Sequence, residues 1–196
     1  MKALILSCAL AAALSGCATP IPLDTISTGA APAATSDRTA SIRTKTVASR
    51  AQQTSKTNYF LIGGTVAPIS AQIDPELSFT EADQENCAAA LRAELERLRV
   101  FKSIGPDTGQ GSDISIRLEF LGTYYRNVNQ EYWLDVLLSL SGGQQDFSRR
   151  YRVNSNEGES LWKKLNTNAY EGKASAVRKL MEQVIPDVQA YVARQD

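Results

Sequence analysis

Alternation of apolar and polar side chains over residues 114–153 constrains the fold of this chain more than any other sequence feature. Every second residue is apolar in 114–120, and the pattern recurs in 132–140 and in 147–153, where Arg149 takes an apolar position. Ser141–Gln144 reads Ser-Gly-Gly-Gln, which predicts a hairpin between the last two segments. Because successive strand side chains point to opposite faces, we expect a sheet with one buried and one solvated face.

Two other segments have the periodicity of amphipathic helices. The first begins near Ser78 or Thr80, since each is followed three positions later by an acidic residue, as in a capping box. Its apolar stripe consists of Cys87, Leu91, Leu95 and Leu98. The second helix runs through 177–192, and we expect Pro186 to kink it or to begin a second short helix.

One more strand is predicted from Tyr59 to Ala67, where Gly63 and Gly64 indicate a bulge or a close approach of another backbone. The element order is then β-α-β-β-β-α. We interpret residues 57–196 as a single α+β domain with a four-stranded, largely antiparallel sheet. Both helices are expected to cover its apolar face, which leaves the other face in contact with water.

The N-terminus has the layout of a secretory signal peptide. Lys2 precedes an apolar run over residues 3–14, which is shorter than the roughly 20 residues that span a bilayer. The run ends in Leu14-Ser15-Gly16-Cys17, which resembles the lipobox of bacterial lipoproteins. The resemblance implies that residues 1–16 are removed and that Cys17 carries diacylglycerol on its sulfur and an acyl chain on its amine. Because Ala18 follows rather than aspartate, it also implies the periplasmic face of an outer membrane.

Residues 17–56 are predicted to be a lipidated N-terminus followed by a flexible tether. The segment is rich in Ala, Thr and Ser and has few large apolar residues, so it buries too little surface to offset its ordering entropy. As a coil, a tether of this length would reach roughly 35 Å. Its five basic residues outnumber its two acidic ones. We interpret it as a solvated linker, the alternative being contact with anionic lipid or cell-wall polymer.

Charge and residue content exclude several classes of site. Loss of Lys2 with the signal would leave 20 basic residues against 21 acidic ones, which argues against nucleic-acid binding. The chain contains no histidine, so most zinc sites and every histidine-dependent triad are ruled out. With Cys8 removed and Cys17 lipidated, Cys87 stands alone. We interpret it as a small buried residue on a helix, the alternative being an intermolecular disulfide, and we expect no metal and no cofactor.

Catalytic motifs are weak. Ser160 and Lys163 have the S-x-x-K spacing, but the S-D-N and K-T-G companions are missing, so we interpret Ser160 as a helix N-cap. The glycine-rich loop 105–112 lacks the ending of a phosphate-binding loop and precedes a strand, which indicates a connector. Glu94 and Glu96 are two apart on a helix and point to different faces. We therefore expect no catalytic residue and no enzymatic activity.

The lipobox, the tether and the element order are similar to those of a group of small envelope lipoproteins. The group includes the lipopolysaccharide-assembly lipoprotein that plugs an outer-membrane barrel, the auxiliary lipoproteins of lipid-transport ABC systems and the lipoprotein activators of cell-wall synthases. The stretch of sequence that most resembles this group is the end of the first helix at 95–104, which is followed by a loop and the strand from Asp113. The resemblance covers 57–196 at the level of topology and assigns no functional residue.

We accordingly predict a non-enzymatic, lipid-anchored accessory subunit of an envelope assembly, secretion or transport machine. The alternatives are a lipid or glycolipid carrier, whose helices and sheet would separate to hold acyl chains, and a regulator of a cell-wall synthase. The expected partners are the membrane, through the lipid on Cys17, and an envelope protein complex.

Three surfaces are candidates for contact with that complex. The first combines aromatic and basic residues that suit protein interfaces, although Trp162 alternatively covers one edge of the core. It consists of Trp162, Lys163, Lys164 and Tyr170. The second is the strand with Gly63 and Gly64, to which a partner strand could add. The third is the charged face of the sheet, with Arg117, Glu119, Glu131, Asp135, Arg150 and Arg152.

Overall fold

The computed structural model describes residues 26, 28–32, 35–48, 59–62, 65–68, 78–106, 111–126, 131–160 and 169–195. These residues contain seven strands and two long helices. In chain order the elements are β1 (Thr39–Lys45), β2 (Tyr59–Ile62), β3 (Thr65–Pro68), α1 (Glu81–Arg97), β4 (Ser103–Pro106), β5 (Ile114–Arg126), β6 (Glu131–Ser141), β7 (Phe147–Asn154) and α2 (Ala169–Ala193).

Five strands form one mixed sheet in the order β4-β1-β5-β6-β7. β1 lies between β4 and β5 and is parallel to both, whereas β5, β6 and β7 form an antiparallel meander. The chain passes through α1 between β1 and β4, since parallel neighbours need a crossover connection. The predicted α+β class is confirmed, and the sheet has five strands rather than four.

β1 corrects the prediction of a flexible tether for residues 39–45. This strand is hydrogen-bonded on both sides, and Ala40 and Ile42 reach the core with 1% and 8% of their surface exposed. A central strand draws its stability from two neighbouring strands, so two apolar side chains suffice. The abundance of Ala, Thr and Ser around them concealed this short alternation, and the domain begins upstream of residue 57.

The chain upstream of β1 is also held, by contacts with both helices. Ile26 is buried in the core, and Thr28 donates to the Glu94 carboxylate of α1 from its backbone nitrogen at 3.0 Å and its hydroxyl at 2.8 Å. Gln189 of α2 donates to the Ala31 carbonyl oxygen at 3.2 Å. Residues 28–31 therefore connect α1 to α2 on the helical side of the sheet.

β2 and β3 correct the prediction of one strand with a bulge. They pair with each other in antiparallel register, with Ile62 opposite Thr65, and form a separate two-stranded sheet. A glycine pair between two strands is also a hairpin signal, which here takes precedence over the bulge. Gly63 and Gly64 themselves lie outside the described residues.

Both helices pack on the same face of the large sheet. Thr80 caps α1 and forms a capping box with Asp83, so of the two predicted starting points the second is the one used. α2 contains Pro186 within its 25 residues. Neither helix in the described part of the chain is long and apolar enough to cross a bilayer. Fully buried residues of the joint core include Leu91, Leu95, Ile116, Leu118, Leu134, Leu138, Leu180 and Val184.

Arg149, which departs from the alternation of β7, has a partner on α2. Its guanidinium donates to the Asp187 carboxylate at 2.9 Å and lies 5.5 Å from the ring centre of Tyr151. The Tyr151 hydroxyl donates to the same carboxylate. Because β7 is an edge strand, the arginine can lie on the helical side and still keep most of its charged end in water.

Candidate functional site

The face of the large sheet that points away from both helices is the candidate site, and we call it the open face. It displays the residues that alternate with the core residues along β1, β5, β6 and β7. Five basic side chains and three acidic ones are among them. They are Arg43, Lys45, Arg117, Arg150 and Arg152 against Glu119, Glu131 and Asp135. The predicted charged face is therefore present and has an excess of basic groups.

One end of the open face is a concave surface that we call the serine–arginine cleft. Its volume is about 450 Å³, and none of the described residues that line it is acidic. The residues are Ser41, Arg43, Gly111, Ser112, Ser115, Arg117, Ser139 and Ser141. Strand register builds it: Ser41, Ser115 and Ser141 are neighbours in one row, and Arg43, Arg117 and Ser139 are neighbours in the next.

A ladder of ion pairs adjoins the cleft. Lys45 lies 2.5 Å from one carboxylate oxygen of Glu119, and Arg117 lies 3.5 Å from the other. The hydrogen bond from Lys45 is the main reason why the pKa of Glu119 is below its ordinary value. Glu119 is thus ionised and held mainly by Lys45.

The middle of the open face is organised around Asp135. Arg150 donates two hydrogen bonds to its carboxylate, at 2.7 and 2.5 Å, and Arg152 donates a third at 3.2 Å. These bonds, led by those of Arg150, lower the pKa of Asp135 although its burial opposes ionisation. Asp135 is 6% exposed, whereas both arginine side chains are more than half exposed. The guanidinium groups are therefore fixed in place and still accessible.

The far end of the open face is aromatic. Tyr124 and Trp133 are cross-strand neighbours, and the register shift between Phe120 and Gly122 leaves Leu121 with 41% of its surface exposed. The Tyr124 ring lies over Gly122, where an added Cβ would be 2.6 Å from the Tyr124 hydroxyl oxygen. This end of β5 and β6 thus has an exposed leucine at the bulge and two partly exposed aromatic rings on the open face.

Of the residues predicted to contact a partner, the structure describes Tyr170. It is 38% exposed in the first turn of α2, which belongs to the helical layer and not to the open face. Trp162, Lys163 and Lys164 lie outside the described residues, as does Cys17. Ser160 is exposed, and Lys163, its partner in the S-x-x-K spacing, lies outside the described part.

Cys87 is a buried core residue, as predicted. No part of it is exposed, and burial raises the pKa of its thiol far above the ordinary value. Such a thiol is protonated and unreactive at neutral pH. Among the described residues no three potential ligands of the histidine, cysteine, aspartate or glutamate type are grouped so as to hold a metal ion.

Sequence reasoning missed the serine–arginine cleft because it missed β1. A signal was available, since the tripeptide Ser-Ile-Arg occurs at 41–43 and again at 115–117. In the sheet the two copies are parallel and in register, so Ser41 lies opposite Ser115 and Arg43 opposite Arg117. Because the tripeptide alternates polar and apolar residues as a strand does, its repetition could have suggested two strands that each place a serine and an arginine on the solvated face of the sheet.

Comparisons with known proteins give structural likeness alone. No protein-family model matches the chain, and a sequence comparison with curated proteins gives no match. Among solved structures, a DUF330-family protein from Xanthomonas campestris aligns over 86% of this chain and 91% of its own, with 12% identity and a TM-score of 0.48. An uncharacterized protein aligns over 76% of this chain and 99% of its own, with 12% identity and a TM-score of 0.38. Similarity at this level says nothing about function.

Proposed function

We propose that this protein is a non-enzymatic, lipid-anchored accessory subunit of an envelope assembly, secretion or transport machine, at the periplasmic face of the outer membrane. Its lipid would be attached at Cys17, and its open face would contact a protein of that machine. The proposal combines the lipobox at Leu14–Cys17 with the geometry of the sheet.

The short distance between Cys17 and the folded domain supports an anchored role. Nine residue steps separate Cys17 from Ile26, which is buried in the core, and they span at most about 30 Å when fully extended. Contacts of Thr28 and Ala31 with α1 and α2 then hold the chain on the helical layer. A lipid on Cys17 would therefore keep the domain near the membrane surface.

The partly exposed aromatic end of the open face is the observation that carries the proposed protein contact. Tyr124 and Trp133 are cross-strand neighbours, and the Tyr124 ring lies over Gly122, which is the register partner of Asp135, the residue that holds Arg150 and Arg152. Aromatic residues and arginine are the residue types that dominate binding energy at protein interfaces. The excess of basic groups on the open face favours a partner whose matching surface is acidic.

The lipid-carrier alternative has less support from the packing. Acyl chains would have to enter between the helices and the sheet, where facing residues such as Leu91, Leu95 and Leu138 are fully buried against one another in one core. Separating these layers would expose apolar surface at roughly 25 cal/mol per Å². The open face needs no such opening.

Site-specific photocrosslinking in intact cells tests the protein contact. A photoreactive amino acid at Leu121 is expected to capture one envelope protein, and the additional substitution Trp133→Ala should reduce the yield several-fold. The matched control is the same amino acid at Gln183, an exposed position on α2. Capture from Gln183 but not from Leu121 would place the contact on the helical layer and overturn this part of the proposal.

The anchor is tested separately. Mass spectrometry of the mature protein should show Cys17 at the N-terminus with its acyl groups, and the Cys17→Ser variant should lose membrane attachment. An intact N-terminus, or membrane attachment unchanged in Cys17→Ser, would contradict the anchor without bearing on the open face. Turnover of an envelope substrate that is lost in Ser160→Ala would overturn the non-enzymatic role.

A further inference from the structure

We infer that β7 binds an extended acidic segment of another protein, which adds to the edge of the large sheet as a further strand. The inference concerns the sheet edge and requires neither the lipid anchor nor the aromatic contact proposed above. It rests on the length and regularity of β7, on the direction of its backbone groups and on the charges beside it.

β7 is the longer and more regular of the two edge strands. The other edge strand, β4, has four residues and ends at Pro106, whereas β7 has eight residues and contains neither proline nor glycine. Its pairing with β6 runs from Phe147 to Asn154 without a register shift. Short length, proline and bulges are the usual features that prevent strand addition at an edge. β7 has none of them.

One hydrogen bond just beyond β7 fixes the direction of its backbone groups. The backbone N–H of Ser155 donates to the Tyr132 carbonyl oxygen at 2.9 Å, so this pair is bonded across the ladder. Bonded and non-bonded pairs alternate in an antiparallel ladder, so every second residue from Val153 back to Phe147 is bonded to β6 in the same way. The residues between them direct their N–H and C=O groups toward the sheet edge. They are Ser148, Arg150 and Arg152.

These three residues are exposed. The side chains of Arg150 and Arg152 have 55% and 63% of their surface in contact with solvent, and Ser148 is exposed as well. Within the described part of the chain, β7 pairs with β6 and with no other strand. A strand that adds in antiparallel orientation would form two backbone hydrogen bonds with each of the three residues.

The charges beside this edge select an acidic segment. Arg150 and Arg152 both donate to a single carboxylate, that of Asp135, so the pair of arginines keeps a net positive charge. Side chains of the added strand that point to the open face would lie directly beside these two arginines. Opposite charges across neighbouring strands stabilise the pairing, so acidic residues two positions apart on the segment fit the edge.

A second copy of β7 fits this edge poorly. In the longest antiparallel registers of two such strands, Arg150 of one copy lies opposite Arg150 or Arg152 of the other. Like charges in this position destabilise a sheet. The arginines therefore disfavour self-association and admit a strand of opposite charge.

Residue-resolved amide hydrogen exchange of the full chain tests the inference. The probe is a blocked octapeptide in which glutamate alternates with valine. At a peptide concentration about ten times the dissociation constant, exchange of the Arg150 and Arg152 backbone amides should slow by about tenfold, because these N–H groups become bonded to the peptide. A peptide held by the arginine side chains alone would leave these amides exchanging at their original rate.

Variants separate the contribution of charge from that of the backbone. Arg150→Gln and Arg152→Gln should each weaken peptide binding about two- to fivefold, the effect of an exposed cross-strand ion pair. Arg194→Gln, at an exposed arginine that follows α2, should leave it unchanged. Ser148→Pro removes an N–H that points to the edge and keeps both arginines, so it should weaken binding about fivefold or more. Ser148→Ala is its matched control and should bind normally.

Three outcomes would overturn the inference. The first is that the peptide does not bind, or binds without slowing exchange at Arg150 and Arg152. The second is equal binding of a matched peptide in which lysine replaces glutamate, since the edge would then not select by charge. The third is slowing of the same two amides as the protein concentration rises without peptide, which would identify a second copy of the chain as the occupant.

Discussion

The two faces of the large sheet are built from the same strands and have opposite roles. In β6, Leu138 is fully buried under the helices, while its neighbour Leu137 lies on the open face and is partly exposed. The same relation holds in β1, where Ile42 enters the core and Arg43 enters the cleft. The face on which a side chain lies is thus decided by the strand register and not by residue type. A shift of the register by one residue would move the buried side chains to the open face and the exposed ones to the core.

The leucine pair in β6 gives the largest expected difference between the faces. Leu138→Ala should lower the free energy of unfolding by about 3 kcal/mol, since it leaves a cavity in a packed core. Leu137→Ala should cost less than about 1 kcal/mol, because less apolar surface leaves the protein interior. Urea unfolding of both variants measures the difference. Equal losses would mean that the open face is covered in solution, for example by a second copy of the chain.

The turn between β6 and β7 helps to fix which residues face the core. Gly142 has φ +100°, and an added Cβ would lie 2.1 Å from the Asp113 carbonyl oxygen. Gly142→Ala should therefore cost about 2 kcal/mol or more, through both backbone strain and a backbone clash. Gly158 has φ +72° with nothing within 4 Å of the added Cβ, so Gly158→Ala should cost about 1 kcal/mol. Similar unfolding midpoints for the two variants would show that the turn relaxes.

The sequence predicts the covered face better than the open one. Alternation in β5–β7 and the helical stripe through Leu91 identify core residues because burial requires a regular apolar pattern. The apolar pattern did not indicate β1, since the two core residues of this strand lie within a segment rich in small polar residues. A central strand is stabilised by backbone pairing with both neighbours, and that pairing leaves little trace in the strand's own composition.

The candidate site was predictable only in part. Charge alternation indicated a polar face, and the ion pairs of Asp135 with Arg150 and Arg152 follow from the antiparallel register of β6 and β7. The serine–arginine cleft needs β1 beside β5, a contact between residues 74 positions apart. Parallel pairing over such a separation is set by the crossover through α1, which local periodicity does not specify.

Two glutamates, one on each side of the sheet, are expected to give intermediate effects on the free energy of unfolding, and these effects depend on pH. Hydrogen bonds from Arg97 and Thr28 lower the pKa of Glu94 to about 2. The ionised Glu94 carboxylate therefore stabilises the folded state fully above the ordinary pKa of 4.5, and this stabilisation is lost as the pH falls toward 2. Glu94→Gln should lower the unfolding free energy at pH 7 by about 1.5 kcal/mol, with a smaller difference at pH 3.

Glu119 is the control on the open face. The pKa of its carboxyl is also lowered, but its main partner, Lys45, is more than half exposed to solvent. Solvent screening makes such a pair weak, so Glu119→Gln should change stability less than Glu94→Gln does, and added salt should reduce the change further. A larger pH-dependent loss in Glu119→Gln would reverse the contrast between the faces.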